Sequence, residues 1–135
     1  MPTLTLPQAA ALCEQVDDLL TTLEGLANRI STDQSVSDDD KDTLDSIIGN
    51  VSDLVANCAT TVAQAAFDDA ADAFTKLKDV TTEANKKAKE LAAKVANISK
   101  VCKIASAFLG LIAKLGAGNV ADIWSAATDL SSAIN

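Results

Sequence analysis

The sequence predicts an all-α protein: one domain over residues 1–135, built as an antiparallel bundle of four to five amphipathic helices. A long third helix, open to a kink, and a C-terminal apolar helical hairpin complete the expected layout. Three observations predict this class. Apolar residues recur in alternating steps of three and four along most of the chain, which places side chains on one side of a helix. Both prolines lie in the first seven residues and only five glycines occur, so long stretches run without a breaker. At 135 residues the chain is long enough for one core of its own.

The first helix is expected over about 7–30, with Pro7 in its first turn, a position that tolerates proline. Cys13, Val16, Leu20, Leu23, Ala27 and Ile30 form its seam, and Leu12, Leu19 and Leu26 widen it into a core-facing stripe. A polar loop follows over 31–37. Ser37 then reads as an N-cap, and Asp38, Asp39 and Asp40 suit the positive end of a helix dipole. The same aspartates invite a calcium-loop reading. An EF-hand loop begun at Asp33 fails, because Asp38 stands where the turn needs Gly and Leu44 where Glu should chelate.

The second helix is expected over about 38–66, with its seam at Leu44, Ile48, Val51, Val55, Cys58, Val62 and Ala65. The register changes near Ala66. A new seam starts at Phe67 and holds through Leu77, Thr81, Ala88, Val95 and Cys102 to Ile112. As one helix over 68–115 it would span about 70 Å, roughly twice the first helix. A break is therefore expected, first at Val80-Thr81-Thr82, next at Asn97-Ile98-Ser99. Glu83/Lys87 and Glu90/Lys94 are favourable i,i+4 pairs on a solvated face. Gly116-Ala117-Gly118 ends the apolar stretch, and Asn119 caps a last helix with Val120, Ile123, Trp124, Ala127, Leu130 and Ile134 on its apolar face.

The stretch 92–118 is the most apolar part of the chain, and its polarity is sharply sorted. Val95, Ile98, Cys102, Ala105, Leu109 and Ile112 form one stripe; Val101, Ile104, Phe108, Leu111 and Leu115 form another. Lys100, Lys103 and Lys114 fall in a narrow arc opposite, beside small residues at Ser99, Ser106, Gly110 and Ala113. The wide face reads first as bundle core. Lysines opposite Leu, Ile and Phe also fit a helix lying on a lipid surface, and a wide apolar face could line a cavity for an apolar ligand. The candidate membrane or partner face is Lys100, Lys103, Phe108, Leu109, Leu111, Ile112, Lys114, Ile123 and Trp124. Only Ile104 to Ala113 lacks charge, ten residues where a span needs about twenty. In layout alone, long amphipathic helices plus one more apolar hairpin, the chain resembles helical pore-forming proteins.

The formal net charge is −8, unevenly spread: residues 1–72 carry 14 acidic and 2 basic side chains, residues 73–135 carry 5 and 9. The asymmetry suggests an acidic half packed beside a basic half, within the molecule or between copies. Arg29 is the single arginine, so nucleic acid is not an expected partner. The chain has no His and no Tyr, and lacks CxxC, phosphate-loop and G-x-S-x-G motifs. No catalytic, metal-binding or cofactor-binding residues are therefore assigned, and an enzyme is not expected. Cys13, Cys58 and Cys102 each sit in an apolar stripe and read as buried free thiols, fitting a reducing compartment. The N-terminus lacks the basic flank and apolar run of a signal peptide; the default is cytoplasmic, with export lacking a cleaved signal left open. Asn50-Val51-Ser52 and Asn97-Ile98-Ser99 match the glycosylation sequon but read as helix interior.

The functional expectation is a non-catalytic interaction or assembly protein that associates with itself or a helical partner through apolar seams. A membrane-active protein using the 98–134 hairpin on anionic lipid is the first alternative, and a carrier of an apolar ligand the second.

Overall fold

The computed structural model describes residues 2–117 and 119–135, and its elements are helices: α1 (Leu6–Ile30), α2 (Asp38–Val62), α3 (Ala70–Ala93), α4 (Ile98–Ala117) and α5 (Val120–Ile134). Each start has a local cause. Thr5 and Gln8 form a reciprocal capping box at α1, with side chain and backbone exchanging bonds of 3.2 and 2.9 Å. Ser37 accepts from Asp40 N at 3.1 Å, with the three aspartates in the first turn of α2. Asp69 and Asn119 cap α3 and α5 through Asp72 N and Asp122 N.

Four helices pack around one core in the ring order α1, α2, α4, α3, and α5 lies against α3 and α4. Consecutive helices run antiparallel, as Cys13 on the early part of α1 facing Cys58 late in α2 shows. The lateral pairs α1/α3 and α2/α4 run parallel, for Gln15 meets Thr82 and Asn85 while Asp18 meets Lys89. α2 and α3 therefore occupy opposite corners. Segment 63–69 crosses one end of the bundle to connect them, which is why α2 stops at Val62 instead of continuing to Ala66. On that crossing Phe67 is 2% exposed and plugs the core. The N-terminal segment straps it down: Phe67 N donates to Pro2 O at 2.9 Å, and Thr3 pairs with Ala66 in a single β-bridge.

The continuous seam from Phe67 to Ile112 is divided at its second expected break. Thr81 stays helical, fully buried, its hydroxyl donating to Leu77 O at 2.8 Å. A β-branched residue that satisfies its own polar group this way sits in a helix without breaking it. The turn lies at 94–97 instead. Ala96 N donates to Leu91 O and Val95 N to Ala92 O, the paired bonds of a Schellman motif. That motif puts the residue after the cap in the left-handed region, and here Val95 has φ 48°, followed by Asn97 at φ 50°. Asn97 is thus an exposed turn residue and not helix interior.

The cysteine reading needs one correction. Cys13 and Cys58 form a disulfide between α1 and α2, across 45 residues of sequence, and only Cys102 is a buried free thiol. The two seams that made each cysteine look like ordinary core face one another directly in the hairpin. Gly116 is also more than a turn signal. It lies inside the last turn of α4, where a Cβ would come within 2.6 Å of Thr61 Cγ2, so α4 crosses α2 closely there. Gly118 lies outside the described residues.

Candidate functional site

α4 is the most enclosed helix because two adjacent stripes face two sets of neighbours: α2 on one side, α3 and α5 on the other. Of the sequence-derived face, Phe108, Leu111 and Ile112 are fully buried, Ile123 nearly so, and Leu109 is half-buried against the same core. Lys103 and Lys114 stand in solvent on the opposite side. Lys100 is half-buried, its Nζ donating to Asn135 O at 3.0 Å and tying the start of α4 to the end of α5. Trp124 is half-buried at the crossing end, its ring 5.8 Å from that of Phe67, with Lys76 Nζ 5.8 Å above its centroid. The structure thus separates the apolar members, which face inward, from two of the three lysines.

The four helices present charge outward unevenly. Asp17 and Glu24 on α1, with Asp42, Asp45 and Asp53 on α2, are exposed. On the other two corners α4 exposes Lys103 and Lys114 and carries no acidic residue, while α3 is mixed, its exposed Lys76, Lys78, Lys86 and Lys89 interleaved with exposed Asp72, Asp79, Glu83 and Glu90. Across the boundary, the ion pair formed among the described residues is Lys89–Asp18 at 2.7 Å. The remaining pairs, Lys76–Asp72 at 3.1 Å and Lys94–Glu90 at 3.8 Å, lie within α3 and its cap, the second being one of the two expected from sequence. Most of the opposite charge is left unneutralised on the surface.

A shallow groove between α2 and α4 is lined by Asp40, Thr43, Ile47, Ser99, Cys102 and Ser106. Burial, and secondarily the Asp40 charge, push the Cys102 thiol above its ordinary value, which opposes the thiolate a nucleophile needs. Asp33, the residue on which a calcium loop would begin, is engaged by its own turn: Ser35 Oγ donates at 2.6 Å and Ser35 N at 2.9 Å, holding the carboxyl below its usual value. Among the described residues no three His, Cys, Asp or Glu side chains are grouped to share a metal ion, and no helix is long and apolar enough to cross a membrane.

One constellation was missed from sequence. Asn85, 3% exposed, donates from Nδ2 to Gln15 O at 2.9 Å and Gln15 Oε1 at 2.7 Å, while its Oδ1 has no partner. Gln15 also donates to Thr82 at 3.2 Å. Asn85 sits one residue past the seam at Ala84, so the wheel assigns it to the flank; the parallel packing of α1 and α3 encloses it. Comparison with protein-family models, curated proteins and solved structures finds no match for this chain.

Proposed function

We propose that the protein is a non-catalytic association module that binds copies of itself, or a helical protein partner, through its charged outer faces. The observation that carries this reading is the uneven spread of charge, an acidic α1–α2 face against a basic α4 face, with a mixed α3 between α1 and α4 that reaches the acidic side through the Lys89–Asp18 pair. Such a surface favours head-to-tail contact between copies, acidic corner against basic corner. The apolar seams are consumed inside the fold, and among the described residues Leu6, at 78% exposure, is the one large apolar side chain left in solvent. Contact between folded copies therefore falls to the polar surface.

The disulfide supports an oxidising compartment over the cytoplasm, since reduced glutathione keeps such bonds open in the latter. The lipid-surface reading stands second, because the hairpin must leave the bundle to present Phe108, Leu111 and Ile112. The ligand-carrier reading stands third, since the protein's own side chains fill the space around α4.

Light scattering across a salt series tests the proposal. Screening lengths fall from about 30 Å at 0.01 M to about 3 Å at 1 M salt, so association should be strong in the first and lost in the second. Reversing Lys103 and Lys114 to Glu should weaken the low-salt complex by about tenfold or more. A monomer at both salts, with the reversed variant indistinguishable, would overturn self-association. Flotation with anionic vesicles would then decide for the lipid reading.

A further inference from the structure

The seam that runs from Phe67 to Ile112 keeps its helical register straight through the 94–97 turn. A turn normally interrupts such a pattern with Gly or Pro. Here neither is present, and the turn is held by Val95 and Asn97, both in the left-handed region that favours glycine. A β-branched residue is especially poor there. The turn's two Schellman bonds have direct helical replacements: Val95 N can donate to Leu91 O and Ala96 N to Ala92 O. Straightening the turn therefore relieves Val95, keeps the turn's backbone bonds, and moves Asn97 out of a left-handed conformation that asparagine tolerates. What it gives up is the Asn97 cap, whose Oδ1 accepts from Lys100 N at 3.2 Å.

We propose that the 94–97 turn is a domain-swapping hinge, at which α3 and α4 join into one helix and the α4–α5 hairpin of each copy packs on α1, α2 and α3 of a second copy. The contacts of α4 and α5 with α2 and α3 are re-formed between chains while those among α1, α2 and α3 and between α4 and α5 stay within each chain, so the exchange changes the hinge and little else. The disulfide permits this. It lies wholly within the α1–α2 hairpin, which does not exchange. A short hinge under strain is the setting in which swapping is favoured. The swap rests on the self-association part of that reading and not on the charged faces: it joins two copies through the apolar seams, so a swapped dimer persists at 1 M salt, where contact between charged faces is lost.

A cysteine pair reports the exchange. A Cβ on Gly116 lies 3.5 Å from Thr61 Cβ, within the span of a disulfide. Thr61→Cys with Gly116→Cys, in a Cys102→Ala background, closes within one chain in the monomer and between chains in the swapped dimer. The pair is carried on the parent hinge, on Val95→Ala/Asn97→Ala and on Val95→Gly/Asn97→Gly. Each protein is refolded at high concentration, oxidised, and run on a non-reducing gel beside light scattering. Alanine favours the continuous helix and glycine the turn, so the covalent dimer fraction should differ by about tenfold or more, with the parent between. Covalent links confined to single chains in all three would overturn the swap. If scattering then shows dimers, copies associate side by side and self-association survives; if it shows monomers, both readings fail. Circular dichroism of the parent pair guards against a variant that does not fold, since the parent alone gives the covalent readout.

Discussion

Asn85 shows what a single polar side chain does inside an Ala-rich interface. Its amide holds α1 against α3 through two bonds to Gln15, yet Oδ1 is buried without a donor. An unmet buried acceptor costs about 1–3 kcal/mol. Asn85→Leu should therefore leave urea stability unchanged or raise it by about 1 kcal/mol, because it removes the orphan atom and adds apolar volume. Asn85→Asp should cost about 3 kcal/mol or more, since it aims a buried carboxylate at the Gln15 carbonyl. Equal midpoints for the two variants would show that the amide is not held as described. The sequence could not reveal this residue: on a helical wheel Asn85 falls beside the seam, and only the close parallel approach of α3 to α1 turns a flank position into an interior one.

At the level of elements, the helices were legible where local chemistry decides and illegible where neighbours decide. Thr5, Ser37, Asp69 and Asn119 cap their helices through side chains that reach three residues ahead, so Ser37 and Asn119 could be named from sequence. Propensity named the break of the long seam near Asn97 but ranked it behind 80–82, because Thr81 satisfies itself against Leu77 O while Val95 takes a left-handed conformation that its chemistry disfavours. The Cys13–Cys58 bond was hidden, since core and disulfide cysteines obey the same spacing. Its 45-residue separation predicts a contribution of about 4 kcal/mol in the chain-entropy treatment, an upper value where strain or residual structure intervenes. Cys13→Ser/Cys58→Ser should lower the urea midpoint accordingly, and thiol titration of the unreduced, unfolded parent should find one reactive group, Cys102. Three reactive groups would refute the pairing.

For the whole molecule, the fold class followed from periodicity, but the order of helices around the core did not, because alternating steps of three and four say which face is buried and nothing about which neighbour covers it. The ring order sets a gradient of local stability. α4 buries Ile98, Ile104, Phe108, Leu111, Ile112 and Leu115, whereas the inward face of α3 is mostly alanine, at Ala73, Ala84, Ala88 and Ala92. Apolar area scales with stabilisation at about 25 cal/mol per Å², so α3 is the weaker wall. Native-state hydrogen exchange should show amides of α3 exchanging through sub-global opening at least tenfold faster than those of α4; matching rates would mean the two helices open as one unit. The two poles of the bundle differ in the same sense. One carries the strap at Pro2 and Thr3, the Phe67 plug and the Trp124 ring; the other carries the polar 31–37 loop and the left-handed 94–97 turn. The molecule is built like a clasp, stitched at one pole and fastened only by side chains at the other. Solvent, a protease or a second chain gains entry at the unstitched pole, where no crossing segment has to be unthreaded to let a helix out.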